Sequence, residues 1–230
     1  MSVRSAAKLD YGPGMHWIWK LIIVFVITYV CYGAFFIAGG ISTFGGNGDG
    51  SRIIFFHLPV AILSSTCYMV AMYYALGYLL KPDRDTDRKS AIAMELGALF
   101  CLLTTVTGVV FSKAIWGQWW NWDPSQTRIL VMMLLYLSYP VLRAATNEQP
   151  DKQGKLSAVY VLLTIIPATF LIWVVPRITA GLHPTEVLQR PKNTSSGYKA
   201  VLYPSLIAFQ MLYVWLFQLR LRVWRVRDTV

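Results

Sequence analysis

The sequence predicts an all-α, polytopic membrane protein: one domain over residues 1–230, six transmembrane helices, and both termini cytoplasmic. Three observations carry the prediction. The chain is 56% hydrophobic and only 14% charged, with a mean hydropathy of +0.48, whereas a soluble domain is about 25% charged. Its apolar residues fall in unbroken blocks, and its basic residues are distributed unequally between alternate connecting segments.

The blocks can be taken in order. Leu21–Gly48 and Ile53–Leu80 contain no Asp, Glu, Lys or Arg, and Ala91–Ser112 carries only Glu95. Ile129–Leu142 is the shortest, with Arg143 expected to snorkel at its end. Leu156–Pro176 and Ala200–Leu219 are again uncharged. About 20 helical residues cross a bilayer core, so five blocks suffice as they stand, and the sixth is shorter. Continuous rather than alternating apolarity excludes a closed β-barrel. The first block is too long for the apolar part of a cleaved signal, so the N-terminus is expected to remain on the chain.

A formal net charge of +10 raises the question of nucleic acid, but its distribution answers otherwise. With the N-terminus inside, fourteen Lys and Arg residues lie on inner segments and seven on outer ones, the sign expected for cytoplasmic termini. The inner connections, such as K-P-D-R-D-T-D-R-K, read as solvated turns. Cys31, Cys67 and Cys101 each sit within a different apolar block. There is no C-x-x-C for thiol exchange, no C-x-x-C-H for covalent haem attachment, and no phosphate-binding G-x-x-x-x-G-K-[ST].

Three segments then face outward: Ile41–Arg52, Lys113–Arg128 and Arg177–Lys199. The middle one holds W-G-Q-W-W-N-W-D-P, with four of the nine tryptophans within seven residues. Trp116, Trp119 and Trp120 recur as one face of a short interfacial helix would, a zone that tryptophans favour regardless of function. Asp123 and Pro124 read as an N-cap and first helical residue. Interfacial anchoring needs one or two indoles, however, not four.

Of three histidines, His16 lies inside beside Trp17 and Trp19 and reads as interfacial. His57, in F-F-H-L-P, and His183, in A-G-L-H-P-T, both fall at the outer level. Imidazole at membrane depth is costly without a partner, and the two together suggest a shared ligand. They make a poor closed zinc site, which wants four ligands. They suit a haem iron, which takes two axial ligands while aromatic side chains pack its porphyrin. Arg52, Arg128 and Arg177 are then either propionate partners or anchors at helix ends.

W-G-Q-W-W-N-W-D resembles the W-G-x-W-W-x-W-D signature of haem-handling "WWD" membrane proteins, and length, span number and outer histidines are similar to the CcmC (haem exporter protein C) family. The resemblance covers essentially the whole chain. It implies haem b held non-covalently at the periplasmic face of a bacterial inner membrane, with His57 and His183 as axial ligands of the haem iron. Trp116, Gly117, Trp119, Trp120, Trp122 and Asp123 would contact the porphyrin, and Arg52 matches a basic residue of the family. The implied partners are the haem chaperone CcmE, the CcmA–CcmB ATPase and CcmD, in maturation of c-type cytochromes. The implied role is haem delivery, not enzymatic catalysis, although a lyase-like transfer to the chaperone is compatible with it.

One departure follows the aspartate, where P-S-Q-T places Ser125 at a position usually held by arginine. This D-P version is similar to CcsA-type haem proteins, which carry further histidines inside their spans, as this chain does not. A CcsA-like role is one alternative reading. A secondary transporter is another, but it predicts polar or broken helices at mid-membrane, and Glu95 is the only carboxylate within a block. A membrane subunit using its tryptophans only as anchors is a third.

Overall fold

A computed structural model describes residues 15–38, 49–182 and 195–227. Its helices are α1 (Trp17–Phe36), α2 (Ile54–Leu80), α3 (Arg84–Trp116), α4 (Pro124–Ala145), α5 (Pro150–Thr169), a short α6 (Val175–Ile178) and α7 (Ser196–Arg227). A 3₁₀ turn, Asp49–Ile53, leads into α2, and a π-helical turn, Phe170–Val174, joins α5 to α6. Six helical stretches are long and apolar enough to cross a membrane, the fifth running from Pro150 to Ile178 through the π turn. The six-span expectation therefore holds.

The helices outrun most of the apolar blocks because capping chemistry, not hydropathy, sets their ends. Asp83 caps α3 by accepting from the Thr86 N–H and hydroxyl, each at 3.0 Å. Those hydrogen bonds hold its carboxyl below the usual carboxylate range. At the other end Gly117, with φ of 76°, adopts the left-handed conformation that closes α3. The block Ile129–Leu142 becomes a 22-residue helix because Asp123 caps it and Pro124 starts it, as the D-P pair predicts. Arg143 does not snorkel. Its guanidinium is fixed by Asp87 at 2.8 and 2.9 Å and by Gln153 at 3.1 Å, which locks α3, α4 and α5 together at the inner end.

The most extensive pairing is α2 against α3, with α5 and α7 on α2 and α1 on α7. Apolar burial between helices contributes little in lipid, so close packing and interhelical hydrogen bonds must hold the bundle. Buried tyrosines supply both. The Tyr136 hydroxyl donates to the Ser64 carbonyl and Tyr68 to Thr164, each at 2.5 Å. Gly97 lets the Tyr136 ring lie directly on α3, where a Cβ would collide with it. Glu95, the lone carboxylate of its block, pairs with Arg220 of α7, so its charge is compensated within the fold.

Near the opposite end, Phe55 of α2, Phe111 of α3, and Tyr198, Val201 and Leu202 of α7 form a cluster with Val30 and Ala34 of α1. Trp116 and Ile115 pack against it. This cluster is the platform beneath the tryptophan segment.

Candidate functional site

α3 delivers the first tryptophan and then stops. Trp116 is its last residue and meets Phe111 edge-on at 5.3 Å, while Gly117 turns the chain out of the helix. Residues 117–123 then run without helix to Pro124. The short interfacial helix suggested by the spacing of Trp116, Trp119 and Trp120 is absent, because Gly117 breaks the pattern after its first member. The platform Trp116 joins is apolar; the tryptophans beyond it are not equivalent.

Trp119 and Trp122 are 58% and 70% exposed. Trp120 is half-buried, its ring meeting that of Trp122 edge-on at 5.8 Å. Trp122 has φ of 54°, the only positive φ outside glycine among the described residues. A bulky residue in that conformation costs roughly 1–3 kcal/mol and persists only where its surroundings impose it.

The surroundings do impose it. Asn121 N–H donates to Gln126 Oε1 at 2.8 Å, and the Asn121 amide donates to Ser112 Oγ at 2.8 Å. Ser112 in turn donates to the Gln118 carbonyl at 2.8 Å. Lys113 donates to the Gly117 carbonyl at 2.9 Å and stands over the Trp119 ring at 5.9 Å. The loop is therefore clamped from α3 on one side and from α4 on the other. Sequence reading missed Ser112, Asn121 and Gln126. The signal was present, since Gln126 is the third helical residue after an N-cap aspartate, where a side chain reaches back over the helix start.

Asp123 is 5% exposed and has two acceptor tasks. One oxygen caps α4 through the Ser125 N–H at 2.8 Å, and the other accepts the Leu182 N–H at 2.5 Å. The second bond spans 59 residues and ties the tryptophan loop to the residue before His183. Gly181 makes the approach feasible, because a Cβ there would lie 2.7 Å from the same carboxylate oxygen. His183 itself lies outside the described residues. Asp123→Ala is expected to remove a cap of about 0.5–2 kcal/mol and a charge-assisted bond of about 1.5–3 kcal/mol. Hydrogen exchange at the Leu182 amide should accelerate in that variant, and Asp123→Asn should be intermediate.

His57 is the fourth residue of α2, half-buried, with Nδ1 2.8 Å from Thr107 Oγ1 on α3. Its Cε1 lies 3.1 Å from where a Cβ of Gly108 would be. Arg52, one turn earlier, faces away from such a task in this structure. Its guanidinium accepts no new partner cheaply: it donates to the Ala34 and Phe35 carbonyls, at 2.9 and 2.5 Å, and pairs with Asp49 at 2.9 Å. It thereby satisfies carbonyls at the end of α1. Arg177 of α6 likewise donates to the Trp173 carbonyl in the π-helical turn before it. Arg128 differs. It is half-buried in the second turn of α4, within electrostatic reach of Asp123, and makes no hydrogen bond among the described residues.

The donor set fits haem at this level. His57 offers a ring nitrogen, Trp119 and Trp122 offer exposed flat faces, and Arg128 offers a guanidinium. The buried Gln126 Nε2, without a hydrogen-bond partner among the described residues, is a further donor suited to an anionic group. No cluster of three His, Cys, Asp or Glu side chains occurs among the described residues.

Comparison with known proteins points the same way. The family described as "CcmC: Heme exporter protein C" matches residues 9–230. A "Heme exporter protein C" of Paracoccus denitrificans is 28% identical over 76% of this chain and 73% of its own length. That of Rhodobacter capsulatus is 27% identical over 92% and 86%, and that of Escherichia coli K12 is 31% identical over 52% and 49%. With a match across nearly its full length and a six-helix bundle that brings the W-G-Q-W-W-N-W-D segment to one end, the chain belongs to the heme exporter protein C family, multi-pass membrane proteins that handle haem in cytochrome c maturation.

Proposed function

We propose that this protein binds haem b non-covalently at the outer face of a bacterial inner membrane and delivers it to the haem chaperone CcmE. His57 and His183 are the axial ligands of the iron, and Trp119 and Trp122 cover the porphyrin. Arg128 is the first choice for a propionate, ahead of Arg52, whose guanidinium holds the end of α1. The CcmA–CcmB ATPase and CcmD are the accompanying components; the chain has no phosphate-binding loop of its own. The fourteen-to-seven distribution of basic residues supports cytoplasmic termini and hence an outward tryptophan segment.

The observation that carries this reading is the carboxylate of Asp123, which joins the tryptophan loop to the segment entering His183. A loop used only as an interfacial anchor has no need of that tether, nor of a tryptophan held at positive φ where glycine would be unstrained. In this arrangement the protein binds and orients its cargo, and the rigid loop leaves one edge to be presented to an acceptor. The purified protein is expected to show a Soret band whose haem leaves the chain entirely in acidified acetone. Haem retained on the denatured polypeptide would overturn non-covalent binding, and protein that takes up no haem would overturn the reading.

A further inference from the structure

Thr107 carries a hydroxyl with one proton and two nearby backbone acceptors. Its Oγ1 lies 2.7 Å from the Leu103 carbonyl and 3.2 Å from the Thr104 carbonyl, the back-bonding of a helical threonine. That proton is therefore committed to α3. The direction of the Thr107 bond to His57 Nδ1, at 2.8 Å, depends on the ring's tautomer; with the hydroxyl proton on α3, the oxygen accepts. In that arrangement the imidazole carries its proton on Nδ1, which makes Nε2 the nitrogen with the coordinating lone pair.

Packing gives a second, independent constraint on the same ring. Gly108, next to Thr107, brings the α3 backbone close to Cε1, with only 3.1 Å to the position of an added Cβ. The Nδ1–Cε1 edge thus lies against α3. Cδ2 and Nε2 lie more than 4 Å from that Cβ position. One residue supplies the acceptor and its neighbour supplies the room.

We infer that Thr107 is a positioning residue for His57, fixing the tautomer and ring orientation through which Nε2 ligates the haem iron. The inference rests on the reading of His57 as a ligand. Hydrogen bonding of the second nitrogen raises a ligating imidazole's basicity, and loss of such a partner typically lowers metal affinity about 10–100-fold. Without it the ligand is a weaker donor, so the iron should be easier to reduce.

The test uses full-length protein in detergent. Labelling histidine with ¹⁵N gives ring-nitrogen signals from only three imidazoles, two from each, since the chain has only His16, His57 and His183; His57→Ala assigns the pair of interest. In haem-free wild type, above the ring's titration, His57 is expected in the Nδ1–H form. Thr107→Val keeps the side-chain shape but removes the acceptor, and should shift His57 toward the Nε2–H form. The same variant should bind haem about 10–100-fold more weakly, with its midpoint potential moved upward. Thr107→Ser, which restores the hydroxyl, should return all three readouts to wild type.

An Nε2–H tautomer in the wild type would overturn the inference without any variant. So would a Thr107→Val protein with unchanged tautomer and potential, provided that His57→Ala alters the haem spectrum. A His57→Ala spectrum identical to wild type overturns the ligand reading itself, and the inference with it.

Discussion

Replacing His57 with alanine is expected to abolish the bis-histidine haem spectrum, leaving high-spin haem or none. In the proposed arrangement His57 supplies one of two axial bonds to the iron, and its loss leaves that position open. Loss of His183 should have the same effect, and added imidazole should partly restore the spectrum in either variant. The control is His16→Ala. His16 Nδ1 accepts the Ile18 N–H at 3.4 Å as the N-cap of α1, and the ring lies 5.7 Å from Trp17. Its replacement should cost a fraction of α1 stability and leave the haem spectrum untouched. Absorption spectra at matched protein concentration decide the matter. A His16→Ala variant that loses the spectrum, or a His57→Ala variant that keeps it, would sink the assignment of the ligands.

The positions of His57, one turn into the second span, and of His16, just before the first, were legible in the sequence, because apolar blocks place residues along the membrane normal. What hydropathy cannot supply is which atoms meet across helices. Nothing in T-T-V-T-G-V-V marks Thr107 as the partner of a histidine 50 residues earlier; only the register of α2 against α3 does so. Arg52 shows the same limit from the other side. The resemblance gives it a place beside the cargo, yet its guanidinium is occupied by the carbonyls that end α1. Sequence spacing could have suggested the Asp49–Arg52 pair, three residues apart, but not the α1 carbonyls.

Helix ends divide along similar lines. The D-P start of α4 was readable because an N-cap is a local event. The break after Trp116 was readable in principle from Gly117, but a periodic run of tryptophans argued for helix and the left-handed glycine overrode it. The π turn at Phe170–Val174 had only an indirect signal, Pro167 before it and Pro176 after it, since proline removes backbone donors and its neighbours re-satisfy them by local rewinding. The turn lies in the span leading to Asp123's partner Leu182.

Replacing Trp119 and Trp122 together with leucine should produce the second large effect, and of a different kind. Both indoles are mostly exposed, so their removal leaves no cavity in the bundle. Trp116 and Trp120, by contrast, are partly buried against Phe111 and Trp122, and changes there would mix structural damage with loss of contact. An indole covered by a porphyrin buries apolar area worth about 1.5–3 kcal/mol. The two together contribute roughly 3–6 kcal/mol, of which leucine retains part, so the double variant should lose about tenfold or more in haem retention. Leucine at 122 must still occupy a positive φ, so the loop keeps its strain while losing its ring. The iron ligands are untouched, so whatever haem remains should keep the bis-histidine spectrum. Occupancy and transfer to the acceptor therefore fall while the band positions stay, the reverse of the histidine variants. Unchanged occupancy and transfer in the double variant would leave the exposed rings as interfacial anchors, and the clamps from Ser112, Lys113 and Gln126 would then be holding them for the lipid alone.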